Sequence, residues 1–218
     1  MLDLQSMRSR TWSIPVKEWF PPNDAMAAIM ARLCVLREDL YLELEGLKDQ
    51  KFDRLEQRGD PYKAIYYFRN SAKTLFEIRK AILNLKGQKT FMQQLANEKD
   101  FHAAFKEFDK VMSKSKELVK RLRHETSGHL DPEAFKNALE RMPSDTKALF
   151  QGGNAPKTVH YKFSIEFLGA IFLSKVEKEA EKEEWERILD TTCEAAFKAI
   201  NTIDLLFMAY VQQRGFEY

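Results

Sequence analysis

Apolar residues recur along much of the chain at alternating steps of four and three, the spacing of one face of an α-helix. One series follows the N-cap residues Asn23 and Asp24, and a second runs from Asp60-Pro61 to Gly87. A third starts near Asp100 and continues over three heptads to Gly128, and a fourth ends before Gly215. The four series predict long amphipathic helices whose inward positions are Ile29, Leu33, Leu36, Leu40, Leu44 and Leu47; Ile65, Phe68, Ala72, Leu75 and Ile82; Phe101, Phe105, Phe108, Met112, Ser115, Val119 and Leu122; and Leu189, Cys193, Ala196, Ile200, Ile203, Phe207 and Tyr210.

Shorter elements are expected between these helices. Residues 90–97 suit a short helix or a helical connector, and Asp131-Pro132 begins a helix that ends near Met142. The stretch 149–162 suggests a small β-hairpin that pairs 149–151 with 158–162. Residues 1–22 read as an irregular arm whose Trp19 and Phe20 fold onto the body. The pattern therefore predicts an all-α fold, a helical bundle of four to five long amphipathic helices plus short ones, as a single domain over 23–215.

Composition supports this fold class and narrows the function classes. The 218 residues include only 8 Gly and 7 Pro, which disfavours collagen-like, linker-like and turn-rich all-β chains. The net charge of +2 excludes a protein that coats nucleic acid indiscriminately, but it leaves room for a local basic site.

Cysteine content and apolar runs indicate a cytoplasmic protein without a membrane span. Cys34 and Cys193 lie in apolar helical patterns, and the absence of a CxxC or Cys/His cluster argues against zinc, so no metal and no cofactor are expected. The N-terminus has no apolar segment of the signal-peptide type, and the longest apolar run, 167–173, is far shorter than a bilayer requires.

The strongest functional signal is a basic stretch followed by an Arg/His segment. Residues 110–124 contain six Lys or Arg and one acid, Glu117, a local charge of +5. Arg123 and His124 close this stretch and His129 comes shortly after it, so the three side chains lie within seven residues of sequence. Arg123 lies four residues after Val119, which places it at the edge of the packed helix face, and a left-handed Gly128 would turn His129 back towards it. An arginine that binds phosphate oxygens beside an imidazole that moves a proton suits phosphodiester chemistry.

Arg123, a polar residue at 124, and His129 after five intervening residues resemble the R-x4–6-H motif of the HEPN domain superfamily. Members are helical bundles, and many are metal-independent endoribonucleases of toxin, phage-defence or RNA-processing systems. The resemblance implies that Arg123 holds the scissile phosphate, that His129 acts on the ribose 2′-hydroxyl, and that His124 assists. It also implies a homodimer, an antitoxin as a partner, and RNA as the substrate, with Lys116, Lys120 and Arg121 as RNA-binding residues.

Two departures from the family pattern and two alternative functions stay open. Position 124 is His where Asn or Asp is commoner, and the helix and hairpin over 132–163 enlarge the region after the motif. The first alternative is a non-catalytic interaction module whose heptad stripes serve packing and self-association, and the second is a small-molecule or nucleotide pocket in the bundle. Arg69 and Arg79, beside the stripe of the second helix, are expected either to join an anionic site or to form an ion pair with Glu77 or Glu43.

Overall fold

The computed structural model describes residues 16–49, 61–114, 132–142, 150–151, 160–161, 171 and 180–215, and helices make up nearly all of these. The prediction of an all-α fold is confirmed. The helices are α1 (Val16–Trp19), α2 (Ala25–Asp49), α3 (Pro61–Lys86), α4 (Lys89–Gln94), α5 (Lys99–Lys114), α6 (Pro132–Arg141) and α7 (Glu181–Gln212).

The long helices enclose a main apolar core and a smaller apolar cluster formed by Leu47, Phe68, Ala72 and Ile188. α7 packs against α2, α3 and α5, and α2 packs along α3. The residues that the periodicity assigned to the interior are buried, namely Leu33, Leu40 and Leu47 of α2, Ile65, Phe68, Ala72, Leu75 and Ile82 of α3, Phe101, Phe105, Phe108 and Met112 of α5, and Ala196, Ile203 and Tyr210 of α7. The remaining predicted positions of α2 and α7 are half-buried. Ser115, Val119 and Leu122 lie outside the described residues.

Local signals place the helix ends as expected. The Asp24 carboxylate accepts a hydrogen bond from the backbone N–H of Met26 at 2.9 Å, so it caps the first turn of α2. The backbone N–H of Gly87 donates to Asn84 O after the last turn of α3. Gly215 adopts φ 82° just after α7, a left-handed conformation that glycine accepts without strain.

The N-terminal arm contains a helical turn that the sequence did not predict. Val16–Trp19 is helical, and the N–H of Phe20 donates to Val16 O at 2.7 Å. Trp19 and Phe20 pack against the core, which confirms their predicted docking, and Phe20 stacks on Tyr210 with ring centroids 5.8 Å apart. The Tyr210 hydroxyl donates to Trp19 O, so the end of α7 holds this helical turn in place.

A single antiparallel pairing is the only β-structure in the described ranges. Phe150–Gln151 (β1) pairs with His160–Tyr161 (β2), with Phe150 opposite Tyr161. Two residues on each side do not amount to the predicted hairpin over 149–162, which is not established as an element of the fold. The residues between β1 and β2 lie outside the described ranges.

Candidate functional site

The predicted Arg/His segment falls outside the part of the chain that the structure describes. Arg123, His124 and His129, and the basic residues Lys116, Lys120 and Arg121, all lie within 115–131. The helices on either side are described: α5 ends at Lys114, and α6 begins at Pro132. The candidate site is therefore built from the described residues that lead into this segment.

One side of α5 carries a row of lysines. Lys106, Lys110 and Lys114 follow one another at four-residue steps, and Lys99 lies seven residues before Lys106. All four are exposed, because Phe101, Phe105, Phe108, Val111 and Met112 occupy the buried side of the helix. At 100° per residue the four lysines lie within about 80° of one another, along about 22 Å of helix. We call these four residues the lysine face.

The acidic residues that flank the lysine face are occupied by cations from neighbouring helices. On one side, Glu107 receives a hydrogen bond from Lys198 Nζ of α7 at 3.3 Å, and this interaction lowers the pKa of Glu107. On the other side, Asp109 Oδ1 accepts hydrogen bonds from Arg79 Nε at 3.1 Å and Nη2 at 2.9 Å. Asp109 is thus compensated by Arg79, whereas Glu107 shares Lys198 with Glu194 and also lies 4.0 Å from Lys110 of the lysine face, so it still subtracts from the positive potential there.

A fifth cation lies beside the same helix. The Lys86 ammonium of α3 lies 3.7 Å from the centroid of the Phe105 ring, where the negative face of the ring attracts it. The aromatic core of α5 thus helps to hold a further positive charge beside this helix.

The Arg79 contacts correct the ion pairs expected for α3. Arg79 binds Asp109 and the Ser113 hydroxyl of α5, rather than Glu77 or Glu43. Glu77 instead pairs with Arg32 of α2. The geometric reason is that Arg79 lies on the side of α3 that faces α5, whereas Glu77 lies on the side that faces α2.

Arg69 has no ion-pair partner within the described residues. Its Nε is buried and makes no hydrogen bond there, and burial lowers the pKa of the guanidinium. The structure therefore does not bring Arg69 into an ion pair with Glu43.

Glu43 is a half-buried carboxyl between α2 and α3. Its Oε1 accepts a hydrogen bond from the Thr74 hydroxyl at 3.0 Å, while its Oε2 is buried without a hydrogen-bond partner in the described structure. Burial raises the pKa of Glu43 to about 7, and repulsion from Asp39 adds to the effect, whereas the Thr74 hydrogen bond and Lys73 oppose it. The sequence could indicate that Glu43 is partly buried, since residue 43 lies beside the stripe formed by Leu40, Leu44 and Leu47. It could not indicate the shifted pKa, which depends on how α3 packs against this side of α2.

The two cysteines and His102 are further side chains capable of chemistry, and their surroundings in the fold are described. Cys34 and Cys193 are free and half-buried, and burial raises the pKa of both thiols, that of Cys34 to about 11, so neither is a ready nucleophile. A ring nitrogen of His102 lies 2.9 Å from Leu95 O. Of the aromatic residues near the start of α3, Phe68 is buried, whereas Tyr66 is 60% exposed.

The described ranges hold neither a metal-binding cluster nor a candidate membrane span. They contain no group of three or more His, Cys, Asp or Glu side chains placed to bind a metal ion. No helix in those ranges combines the length and the apolar composition that a membrane span requires.

Sequence reasoning found only part of the lysine face. The basic stretch was recognised from Lys110 onward, but Lys99 and Lys106 were missed because the intervening acids make the local net charge unremarkable. The available signal was the placement of these lysines opposite the phenylalanine stripe. This placement indicates a positively charged surface only once the ion-pair partners of Glu107 and Asp109 are known.

Comparison of the chain with models of protein families, with curated proteins and with solved structures found no match.

Proposed function

We propose that this protein binds RNA along the lysine face of α5 and cleaves it with Arg123 and His129, as a HEPN-type ribonuclease. The observation that supports RNA binding is the row of four exposed lysines, next to which Arg79 compensates Asp109 and Lys198 partly compensates Glu107. The proposed cleavage pair rests on the motif resemblance and on the all-α bundle.

The spacing of the lysines suits a polyanion better than a small anion. Successive lysines at four-residue steps rise about 6 Å along the helix, so their charges are spread over a line rather than gathered at a point. A nucleic-acid strand offers phosphates along a line, and each neutralised phosphate releases counterions. The row leads towards residue 115, where the remaining basic residues and the Arg/His segment follow.

The proposed cleavage needs no metal. Arg123 binds the non-bridging oxygens of the scissile phosphate in a bidentate fork, and His129 accepts the proton of the ribose 2′-hydroxyl. The 2′-oxygen then attacks phosphorus, the bond to the 5′-oxygen breaks, and that oxygen takes up a proton. The products are a 2′,3′-cyclic phosphate and a 5′-hydroxyl end, with His124 assisting in the proton transfers.

RNA binding is tested by a salt titration with a fluorescent single-stranded RNA. Four neutralised phosphates predict a slope of log K against log salt of about −3 for a single strand. Replacing Lys106 and Lys110 with Ala should reduce the steepness of this slope by about 1.4. The matched control replaces Lys63 and Lys80, two exposed lysines of α3, and should leave the slope unchanged. Equal losses in both double variants would refute a role for the lysine face.

Cleavage is tested separately with mixed RNA in the presence of a chelator. The wild-type protein should produce cyclic phosphate ends, and Arg123→Ala and His129→Ala should each abolish cleavage while the circular dichroism spectrum and RNA affinity are retained. His160→Ala, a histidine outside the motif, is the matched control. Unchanged cleavage in both motif variants contradicts the catalytic assignment. RNA binding without any cleavage favours the non-catalytic alternative.

A further inference from the structure

Arg69 differs from every other arginine whose side chain the structure describes. The others each pair with a carboxylate, and they are Arg32, Arg37, Arg79, Arg187 and Arg214. Arg69 is half-buried, its Nε is shielded from solvent, and the guanidinium makes no hydrogen bond or ion pair within the described ranges. Because the burial of an unpaired charge costs free energy, an arginine in this position is suited to an anion supplied from outside the chain.

A second cation lies one helical turn after Arg69. Lys73 is exposed, and its side chain leaves α3 about 40° round the helix from that of Arg69 and about 6 Å further along it. Like charges at this spacing repel each other. Glu77, the only acid of α3, pairs with Arg32 of α2. Lys73 is near enough to Glu43 to act on its carboxyl electrostatically, but the two form no ion pair in the described structure. One bound anion can therefore compensate both Arg69 and Lys73.

An exposed aromatic ring lies one turn before Arg69. Tyr66 is 60% exposed, and its side chain leaves α3 about 60° round the helix from that of Arg69. The Tyr66 ring makes an edge contact with the Tyr67 ring, with the centroids 5.6 Å apart, and Tyr67 packs against the smaller apolar cluster. Tyr66 is therefore supported by the fold while much of its side chain stays open to solvent. We call Tyr66, Arg69 and Lys73 the α3 site, and the three lie within about 60° of one another along about 10 Å of helix.

Contacts between α3 and α5 show where the α3 site lies relative to the lysine face. The Lys86 ammonium of α3 lies against the Phe105 ring of α5. Earlier on α3, Arg79 donates a hydrogen bond to the Ser113 hydroxyl, which lies later on α5. The two helices therefore run antiparallel. Arg69 precedes Arg79 by about 15 Å along α3, in the direction in which α5 runs, so the α3 site lies past the end of α5.

The α3 site and the lysine face both point away from the core. On α3, Arg69 lies about 180° round the helix from the buried Ile78. On α5, Lys106 lies about 160° round the helix from the buried Phe108. Arg69 also lies only about 80° round α3 from Arg79, which faces α5. A strand that follows the lysine face past the end of α5 therefore comes close to the α3 site on the outside of the bundle.

The residue types of the α3 site suit one nucleotide of such a strand. A phosphate accepts charge-assisted hydrogen bonds from a guanidinium and an ammonium, and any base can stack on an aromatic ring. We propose that the α3 site binds a second stretch of the RNA, with a phosphate held by Arg69 and Lys73 and a base stacked on Tyr66. This assignment rests on the RNA binding proposed for the lysine face, and it is independent of cleavage by Arg123 and His129.

Two single-stranded RNAs of different length test the α3 site. Phosphates of a stacked strand are about 3.4 Å apart, so an RNA of about four nucleotides fits within the lysine face and one of about twelve extends past it. In fluorescence anisotropy, Arg69→Met should weaken binding of the long RNA at least tenfold and change binding of the short RNA less than twofold. Tyr66→Leu should weaken binding of the long RNA about fivefold, whereas Tyr66→Phe, which keeps the ring, should bind it as the wild type does.

The matched control is Lys63→Met, which changes an exposed lysine about 120° round α3 from Arg69 and should leave binding of both RNAs unchanged. Thermal unfolding separates a binding role from a structural one. Arg69→Met should retain the wild-type Tm or raise it, because Met carries no unpaired charge. A lower Tm with equal losses for both RNAs would show that Arg69 is structural and would overturn the α3 site.

The two RNAs also separate this site from the lysine face. Short-RNA binding that depends on Lys106 and Lys110, with long-RNA binding that Arg69→Met leaves intact, would overturn the α3 site alone. An equal loss of long-RNA binding in Lys63→Met and Arg69→Met would do the same. Failure of the wild-type protein to bind either RNA would overturn the proposed RNA-binding function as well.

Discussion

Replacing Glu43 with Gln should make the protein more stable at neutral and alkaline pH. The carboxyl of Glu43 is half-buried between α2 and α3, with one oxygen bound to Thr74 and the other unpartnered in the described structure. Gln has nearly the same shape, and its amide oxygen can still accept the Thr74 hydrogen bond. It cannot ionise, so the substitution removes the cost of a charge in this position.

The sign and the pH range follow from the shift of the pKa. Burial raises the pKa of Glu43 from 4.5 to about 7 in the folded state, so the folded protein holds this proton over a range in which the unfolded chain has lost it. Stability therefore falls as the pH rises through this interval, and the loss is complete above pH 7. Below pH 4.5 both states are protonated and the group contributes nothing.

The shift sets an upper limit of about 3 kcal/mol on this loss, at 1.36 kcal/mol for each pKa unit. Solvent reaches part of the carboxyl and screens its charge, so we expect about 1–2 kcal/mol. For a chain of this length that amounts to a rise in Tm of about 3–6 °C for Glu43→Gln at pH 8.

Urea unfolding of the wild-type and variant proteins at several pH values between 4.5 and 8 measures this effect. The stability difference should be close to zero at the acid end and should grow to its full size near pH 8. Glu45→Gln, on the same helix and with only a 3.8 Å contact to Lys48, is the control that should retain the wild-type pH dependence. A difference between wild type and Glu43→Gln that stays constant with pH would refute the reasoning.

Three further predictions test the packing and the electrostatics. Gly46→Ala should destabilise the fold by about 1–2 kcal/mol in thermal unfolding, because its Cβ would lie 2.6 Å from the Tyr67 ring. In a Tyr67→Ala background the same change should stabilise by about 1 kcal/mol, and a loss there would contradict this account. Phe108→Ala should cost about 3–5 kcal/mol in urea unfolding, since the side chain is fully buried, and a cost below 1 kcal/mol would rule out the assigned core. Arg79→Met should weaken RNA binding about twofold by leaving Asp109 uncompensated beside the lysine face. Adding Asp109→Asn should restore the affinity, and failure to do so would argue against this electrostatic link.

The sequence predicted the helices well wherever an apolar stripe and a local end signal agreed. Asp24 caps α2, and α3 ends just before Gly87, because capping and chain-turning depend on residues adjacent to the helix end. The helical turn Val16–Trp19 was not predicted, since a four-residue helix is too short to show periodicity. It is held by the contacts of Trp19 and Phe20 with Tyr210, which is distant in the chain.

The candidate site was less accessible to sequence reasoning. The basic stretch is a local property and was visible, but of the two alternatives left open for Arg79 the ion pair with Glu77 or Glu43 was wrong, since Arg79 binds Asp109. An arginine beside a stripe can reach either neighbouring helix, and the sequence does not say which helix lies on that side. The roles proposed for Arg123 and His129 remain predictions from the motif.

What the sequence by itself determined is the fold class, the helices and the identity of the buried face of each helix. These properties follow from the apolar period and from caps within a few residues, both of which are local features of the sequence. Only the tertiary structure decided which charges are compensated: Lys198 reaches Glu107, Arg79 reaches Asp109, and Asp39 and Asp190 are left without an ion pair in the described ranges. Coulomb interactions depend on distance through space rather than along the chain. A net charge of +2 therefore conceals a row of exposed lysines on α5 whose neighbouring acid Asp109 is bound by Arg79.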